Sequence, residues 1–236
     1  MSVAVPPRAT RFLQVGMEVE TNLDLEMADV GSVAGGGVYG AGAPATISAT
    51  AKSGWRFIGW IAYPDHADVL GTPVSAANPY SPVLSDDRVL FARFEPTPPP
   101  NDKFAMATQV AALPFQDKVF TAGATSEANE PFPATICGGG GNRHGKTIWY
   151  SYTPKLDERV SIDLDGSDNA IDIGVYTGSD LAAATPVQDG CGISKVLNPH
   201  VTFSAKSGTP YHIQLDTMGA NSRHCLSLSH EPDSHP

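Results

Sequence analysis

Residues 147–153 and 209–216 each alternate bulky apolar with polar side chains, and each run is bounded by Gly, Pro or charged residues. This period of two predicts half-buried strands of an antiparallel sheet. Three further runs of the same kind lie between them, at residues 160–165, 171–176 and 200–205. One strand per about 10–14 residues, with turn residues between, is typical of an all-β sandwich. A sandwich without convergent reactive groups serves binding or spacing more often than catalysis.

Composition limits both the fold and the partners. Only 17% of the 236 residues are charged, whereas 23 are Gly and 20 are Pro, which favours tight turns over long helices. The formal net charge of −10 argues against nucleic acid and anionic membranes, because both are recognised by basic patches. No apolar run approaches the roughly 20 residues that span a bilayer, and the first residues lack the apolar core of a signal peptide. Either the chain is a mature or truncated fragment, or it is exported by another route; we expect a fragment, because modules of this kind usually lie inside longer chains.

A proline-rich segment divides the chain. Residues 96–100 read Pro-Thr-Pro-Pro-Pro, which cannot join a central sheet and favours an extended linker. The predicted domains are residues 1–95, a small β-rich module with an N-terminal extension, and residues 101–230, a β-sandwich. Residues 231–236 form a tail. Alternation over Phe12–Val19 predicts an added edge strand in the first module.

The first module carries glycine and aromatic signals in a fixed order. Gly-x-Tyr-x-x-Gly stands at residues 37–42, Thr-Ile-Ser-Ala-Thr-Ala at 46–51, Gly-Trp-x-Phe-x-Gly-Trp at 54–60 and Val-Leu-Phe-Ala-Arg-Phe at 89–94. Over about residues 28–95 this order resembles the divergent internalin B-type repeat of bacterial surface proteins. The resemblance implies a small β-rich module with a stalk or adhesion role and no chemistry.

The second module resembles a different family. Asn-Asp-Lys-Phe stands at residues 101–104, Ile-Trp-Tyr-Ser-Tyr at 148–152, Val-Tyr-Thr-Gly at 175–178 and Gly-Thr-Pro-Tyr-His-Ile at 208–213. In this order, over residues 101–230, they resemble the bacterial pre-peptidase C-terminal domain, a jelly-roll sandwich similar to clostridial collagen-binding domains. The resemblance implies a secreted, non-catalytic module appended to hydrolases or surface proteins.

That resemblance also implies a calcium site. Related collagen-binding domains hold calcium near their N-terminal linker, which is the place of Asn101 and Asp102 in this sequence. Glu127 and Glu130 lie in a further loop that flanks the start of the sandwich, and they complete the four candidate ligands. Calcium takes roughly six to eight oxygen ligands, which carboxylates and amides supply. The alternative is a solvated loop with an Asx turn.

All three cysteines, Cys137, Cys191 and Cys225, lie in the second module. In a secreted sandwich they predict one disulfide and one leftover thiol, and the sequence leaves all three pairings open. Three buried thiols are the alternative. Cys137 and Cys191 both lie in Gly-rich loops, which favours the disulfide.

Two sequence patterns resemble ligand-binding motifs, a phosphate-binding loop and a calcium-binding loop, but the residues around each do not favour that function. Residues 140–147 satisfy G-x-x-x-x-G-K-[ST], but a strand-like run follows where a phosphate-binding loop needs a helix. Asp163, Asp165, Asp168 and Asp172 lack the spacing of an EF-hand, and we interpret them as a polar strand face with a turn. No His-Glu-x-x-His and no Gly-x-Ser-x-Gly occurs. The sequence therefore predicts neither an enzyme nor a nucleotide site.

Aromatic residues supply the candidate binding surface. Tyr150 and Tyr152 share one face of their predicted strand, and Trp149 lies on the other. If Trp149 faces the core, the two tyrosines face outward and can contact a ligand. We expect this exposed Tyr150–Tyr152 surface, and the reverse orientation is the alternative.

These observations predict a non-catalytic extracellular or cell-surface module, used for binding, adhesion or spacing in a larger protein. Its partner would be an extracellular polymer, either protein or glycan, or a cell-surface component. Two other functions stay open. One is a self-associating subunit or appendage of an extracellular filament or sheath. The other is a set of accessory domains of a secreted hydrolase whose catalytic domain is absent.

Overall fold

The chain divides into two compact units, Met1–Pro96 and Thr97–Pro236, and the division falls in the proline-rich segment. Strands make up nearly all of the regular structure, which confirms the predicted all-β fold class. The structure is a computed structural model, and it describes residues 10–19, 30–63, 71–137, 145–167, 170–193, 199–217 and 223–231.

The described part of the first unit is built from strands alone. They are β1 (Thr10–Val19), β2 (Gly31–Ala34), β3 (Gly37–Gly40), β4 (Ser48–Ala51), β5 (Trp55–Ala62), β6 (Thr72–Ser75) and β7 (Arg88–Pro96). Five of them form one sheet in the order β3-β1-β7-β5-β6, and β2 pairs with β4 in a second, two-stranded sheet. Leu13, Trp60, Leu90 and Phe94 are fully buried in the core of this unit.

Strand β1 lies inside its sheet, so the prediction of an added edge strand is wrong. It pairs antiparallel with β3 and parallel with β7. Val15 lies opposite Leu90 and Met17 opposite Ala92, so the pairing places the apolar positions of β1 beside the buried positions of β7. Alternation identifies the apolar face of a strand, but it does not say how many neighbours the strand has.

The aromatic signature of the first unit packs its core. Trp55 and Trp60 are an odd number of residues apart, so a regular strand would place them on opposite faces. An irregularity in the pairing of β5 between Phe57 and Gly59 allows both indoles to be buried. The ring of Phe57 lies 5.4 Å from that of Trp60 and 6.1 Å from that of Phe94.

The second unit contains two larger sheets. Its strands are β8 (Thr108–Val110), β9 (Phe115–Phe120), β10 (Lys146–Tyr152), β11 (Glu158–Asp163), β12 (Ile171–Thr177), β13 (Thr185–Gly192), β14 (Val201–Ala205), β15 (Tyr211–Thr217) and β16 (Arg223–His230). One sheet has five strands in the order β13-β12-β15-β10-β8, and the other has four in the order β14-β11-β16-β9. The described helices are short: α1 (Pro133–Ile136) and the 3-10 turns Phe104–Met106 and Leu181–Ala183.

These two sheets face one another and share a hydrophobic core. Ile148 and Ile213 reach it from the five-stranded sheet, and Val160, Phe203 and Leu228 reach it from the four-stranded sheet. Side chains of both sheets in one cluster are what defines a sandwich. All five runs that the sequence singled out are strands of this sandwich, namely β10, β11, β12, β14 and β15.

We predict that Ile213→Ala destabilises the second unit by about 2–5 kcal/mol, because it leaves a cavity in a strand that is paired on both sides. Amide hydrogen exchange of peptides from the second unit in the full chain measures this change. Ser204→Ala on the exposed side of β14 is the control, with an expected change within about 0.5 kcal/mol. Equal effects of the two substitutions would contradict this assignment of the core.

Candidate functional site

The five-stranded sheet of the second unit is covered on its outer face as well as on its core face. Phe104, in the first 3-10 turn, lies 5.0 Å from the ring of Trp149 and 4.3 Å from that of His212. The ring of Trp149 in turn lies 6.0 Å from that of Tyr176. Helix α1 also contacts β12 and β13 of this sheet. Aromatic rings and a loop segment therefore replace water over this face.

The prediction of an exposed Tyr150–Tyr152 surface is wrong. Tyr150 is 0% exposed and Tyr152 is 5% exposed, while Trp149 is buried on the opposite face of the strand. The reason is that β10 is an inner strand of a sheet with protein packed on both faces, so Trp149, Tyr150 and Tyr152 are all buried, while Ser151 is half-buried. The hydroxyl of Tyr150 donates to Asp117 at 3.1 Å. Burial, and then the charge of Asp117, raises the pKa of Tyr150.

Asn101 and Asp102, two of the four predicted calcium ligands, fasten the start of the second unit to the sandwich. The side-chain amide of Asn101 donates to the backbone carbonyl of Trp149 at 3.2 Å, and the backbone carbonyl of Asn101 accepts from the backbone N–H of Trp149 at 2.9 Å. Asp102 is buried and accepts from the backbone N–H of Thr125 at 2.5 Å and from the Thr125 hydroxyl at 2.9 Å. Lys103 forms an ion pair with Asp102 at 3.1 Å.

Glu127 and Glu130, the other two, perform the same task from the next loop. Glu127 accepts from the backbone N–H of Phe104 at 2.7 Å. Glu130 is buried and accepts from the Thr147 hydroxyl at 2.8 Å and from the Trp149 indole N–H at 3.3 Å. Both carboxylates therefore hold the loop and the aromatic cover against the sheet.

All four predicted calcium ligands make contacts within the protein in this structure. Carboxylate oxygens of Asp102, Glu127 and Glu130 accept hydrogen bonds from protein donors. Within the described residues, no three His, Cys, Asp or Glu side chains are grouped to hold a metal. Calcium binding itself stays a prediction.

Further polar groups lie between the five-stranded sheet and its cover, and we call Glu130, Thr147, Trp149, Tyr176, Gln214 and Asp216 the covered polar layer. The Tyr176 hydroxyl donates to Gln214 Oε1 at 3.1 Å, and the N–H of Gly145 donates to Asp216 Oδ1 at 2.9 Å. Burial, and then the charges of Asp216 and Glu130, raises the pKa of Tyr176. Desolvation lowers the pKa of the neighbouring His212. Sequence reasoning missed this layer, although polar residues alternate with the core positions along β15.

A disulfide joins Cys137 to Cys191, with their Cα atoms 5.7 Å apart, and Cys225 is a free thiol. One disulfide with one leftover thiol is what the sequence predicts. Cys137 follows α1 and Cys191 belongs to the edge strand β13, so the bond fastens the cover to the edge of the sheet. Disulfides persist in oxidising compartments, which indicates an extracellular or periplasmic location.

The P-loop-like run lies largely outside the described residues, which omit 138–144. Its last two residues, Lys146 and Thr147, begin strand β10. The ammonium of Lys146 donates to the backbone carbonyl of Ala122, and burial lowers the pKa of Lys146. Lys146 and Thr147 therefore contact other parts of the sandwich and the segment that covers it.

The outer face of the four-stranded sheet differs, because it holds a trough of about 470 Å³. Small polar side chains line this depression, and we call it the serine trough: Gln116, Lys118, Ser161, Asp163, Asp165, Cys225, Ser227 and Ser229. Within the described residues, the side chains of Ser227, Ser229, Gln116, Lys118 and Asp165 have no hydrogen-bond or ion-pair partner.

The acidic group predicted at residues 163–172 is split between the two sheets. Asp163 and Asp165 line the serine trough, and Asp163 accepts from the backbone N–H of Asp165 at 2.8 Å. Asp172 lies on the five-stranded sheet opposite Asp216, and Asp168 lies outside the described residues. Among the described members of this group, Asp172 therefore lies on a different sheet from Asp163 and Asp165.

A smaller pocket of about 210 Å³ lies beside Tyr152, with Leu113 and Leu156 in its wall. Here the Tyr152 hydroxyl donates to Glu158, whose Oε2 lies 2.9 Å from His230 Nδ1. Burial, and then the hydrogen bond to Glu158, raises the pKa of Tyr152. Tyr152, Glu158 and His230 of this pocket are thus paired with one another.

Comparison with known families identifies the first unit. Residues 21–98 match the divergent InlB B-repeat domain. This match confirms the repeat predicted at about residues 28–95, and the five-stranded sheet of the first unit lies largely within it. No curated protein is similar enough in sequence to this chain to count as a match. In the parts of the chain that the structure describes, no helix is long and apolar enough to cross a membrane.

Two solved structures are similar to part of the chain. The pre-peptidase C-terminal domain of a collagenase from Bacillus anthracis has 14% identity and a TM-score of 0.34, and the match covers 52% of this chain and 94% of that domain. PliG, a periplasmic inhibitor of g-type lysozyme from Aeromonas hydrophila, has 16% identity and a TM-score of 0.34, with coverage of 53% and 96%. The first belongs to the family predicted for residues 101–230.

We predict that Asp102→Asn lowers the free energy of unfolding by about 1–3 kcal/mol, because it disturbs a buried acceptor with two donors. The loss should be the same in excess calcium and in EDTA, as thermal unfolding can measure. Asp165→Asn, at an exposed carboxylate, is the control and should change little. A destabilisation that appears only with calcium would instead establish a calcium site.

We predict that the double substitution Cys137→Ser with Cys191→Ser lowers stability by up to about 4 kcal/mol, because the bond closes a loop of 54 residues. Cys225→Ser should leave stability nearly unchanged. Thiol titration of the unfolded, unreduced chain should find one thiol, and three after reduction. Three thiols before reduction would refute the bond.

Proposed function

We propose that this chain is a non-catalytic extracellular module that attaches a larger secreted or surface protein to an extracellular polymer. The observation that carries the proposal is the difference between the two outer faces of the sandwich. The covered polar layer uses its carboxylates and hydroxyls in internal hydrogen bonds. The serine trough is open, and several of its polar side chains have no partner within the described residues.

Exposed polar groups are what a binding surface needs. An unpaired buried polar group costs about 1–3 kcal/mol, so most polar groups under the cover are paired within the protein; Gln214 Nε2 and His212 Nδ1 are exceptions. An exposed polar group is hydrated in the free protein, and a ligand can replace that water with little loss of hydrogen bonding. Ser227, Ser229 and Gln116 are of this second kind.

The buried ionisable groups support a non-catalytic role. Glu130 and Asp216 are the buried carboxylates of the covered polar layer, and the cover separates both from solvent. A catalytic acid or base must come within hydrogen-bond reach of its substrate. Internal donors already contact both carboxylates, which suits a structural task.

Two findings support an extracellular place. The disulfide favours an oxidising compartment. The match of residues 21–98 to the divergent InlB B-repeat domain agrees with a surface protein, the setting implied by the resemblance. The cell surface is therefore the location that we propose.

A second candidate function is self-association into a filament or sheath. Strand β3 is an edge strand, and its Val38 is 67% exposed beside Phe12, which is 52% exposed. An exposed apolar edge can pair with another copy of the chain. This surface belongs to the first unit, so it is compatible with polymer attachment through the second.

We predict that the full chain is retained on at least one insoluble polymer among cellulose, chitin, peptidoglycan and fibrillar collagen, and that it releases no soluble fragments from it. Co-sedimentation measures retention, and assays for reducing ends and free amines measure release. Sedimentation velocity of the chain alone tests the second candidate. Retention on none of the four would contradict attachment, and product release would contradict the non-catalytic role.

A further inference from the structure

We propose that the serine trough binds a neutral, polyhydroxylated ligand, namely an oligosaccharide segment of an extracellular polymer. This inference rests on the proposed function and names its ligand class. At about 470 Å³, the trough lies within the range of about 300–1,000 Å³ that small-molecule sites occupy.

The floor of the trough is built from small side chains on neighbouring strands. Ser161 on β11 lies opposite Ser229 on β16. Ser227 on β16 lies between Asp163 on β11 and Gln116 on β9. Strands are about 4.8 Å apart, so this row repeats polar groups at that spacing across the sheet. A flat ligand can approach the sheet closely, because the serine side chains are short.

The lining matches the hydrogen bonding of sugar hydroxyls, which both donate and accept. Asp163 and Asp165 supply acceptors, Lys118 supplies a donor, and Gln116 and the serines supply both. Hydrogen bonds to the charged groups are stronger than neutral ones, so the carboxylates and the ammonium would orient the ligand.

Charge and polarity oppose the other ligand classes. Asp163, Asp165 and the net charge of −10 oppose a polyanion such as nucleic acid or a sulfated glycan. Leu226 is the one aliphatic side chain among the described lining residues, and it is only 2% exposed. A protein partner needs an apolar patch at the centre of its interface, and the trough does not offer one.

The lining also sets the expected strength of binding. No aromatic ring belongs to the described lining, so polar contacts carry the affinity without a stacking platform. We expect a dissociation constant on the order of millimolar for one short oligosaccharide. Attachment to a polymer then depends on the many equivalent segments that the polymer presents.

The free thiol of Cys225 provides a reporter inside the trough. Its side chain lines the depression next to Gly166 and opposite Lys118. A bound saccharide would cover this thiol and slow its reaction with a maleimide. The thiol is used here only as a probe and has no assigned role in binding.

The test uses the full chain with cellohexaose, chitohexaose and mannohexaose, and detects binding by saturation-transfer difference NMR. Ser229→Trp fills the trough and should weaken binding at least tenfold. Ser204→Trp, exposed on β14 of the same sheet and outside the lining, should bind like the unaltered chain. Asp163→Asn supplies a second trough variant with little change in volume. Saturating saccharide should slow alkylation of Cys225 by N-ethylmaleimide at least threefold.

Three outcomes would overturn the inference. They are equal binding by the Ser229 and Ser204 variants, unchanged alkylation of Cys225 at saturating saccharide, and stronger binding of heparin or a lysine-rich peptide than of all three saccharides. If the chain is retained on a polymer but Ser229→Trp does not weaken that retention, the trough assignment fails and the proposed function stands. If no polymer retains the chain, the proposed function itself fails.

Discussion

The buried carboxylate of Glu130 determines how the outer layer of the second unit is arranged. A buried charge is tolerated only where donors surround it. Its donors, the Thr147 hydroxyl and the Trp149 indole, both belong to β10. The loop that carries Glu130 must therefore lie on the sheet, and the disulfide at Cys137 holds the far end of the same segment to β13. Asp102 and Glu127 add further hydrogen bonds to this cover.

The cover explains why alternation gave the wrong exposure for the central strands. Polar and apolar residues alternate on β10 and β15, which is typical of strands with one face in water. Thr147, Gln214 and Asp216 are instead buried, and Phe104 and the loop that follows β9 pack over this face. Periodicity reports which residues share a face. Whether that face meets solvent depends on a distant segment, and no pattern within the strand encodes it.

The other strands and the first module could be predicted to the extent that their own residues form a recognisable pattern. The five alternating runs and the InlB B-repeat domain have dense local patterns, and both were found. Strand β16 was missed although Cys225–Ser229 alternates as clearly as β11, so a complete reading of the sequence would have found it. Strand β13 was missed for a physical reason. It contains Pro186 and Gly190, which weaken any strand signal and are tolerated because β13 is an edge strand.

The same residue types form internal hydrogen bonds on one outer face of the sandwich and are open to solvent on the other. Asp216 and Thr147 are neighbours across strands of the five-stranded sheet, as Asp163 and Ser227 are across strands of the four-stranded sheet. The first pair is buried and is hydrogen-bonded to the covering segments: the Gly145 N–H donates to Asp216, and the Thr147 hydroxyl donates to Glu130. The second pair is open to water and can exchange water for a ligand. Since composition does not distinguish the two, the placement of one covering loop decides which face stabilises the fold and which remains available for binding.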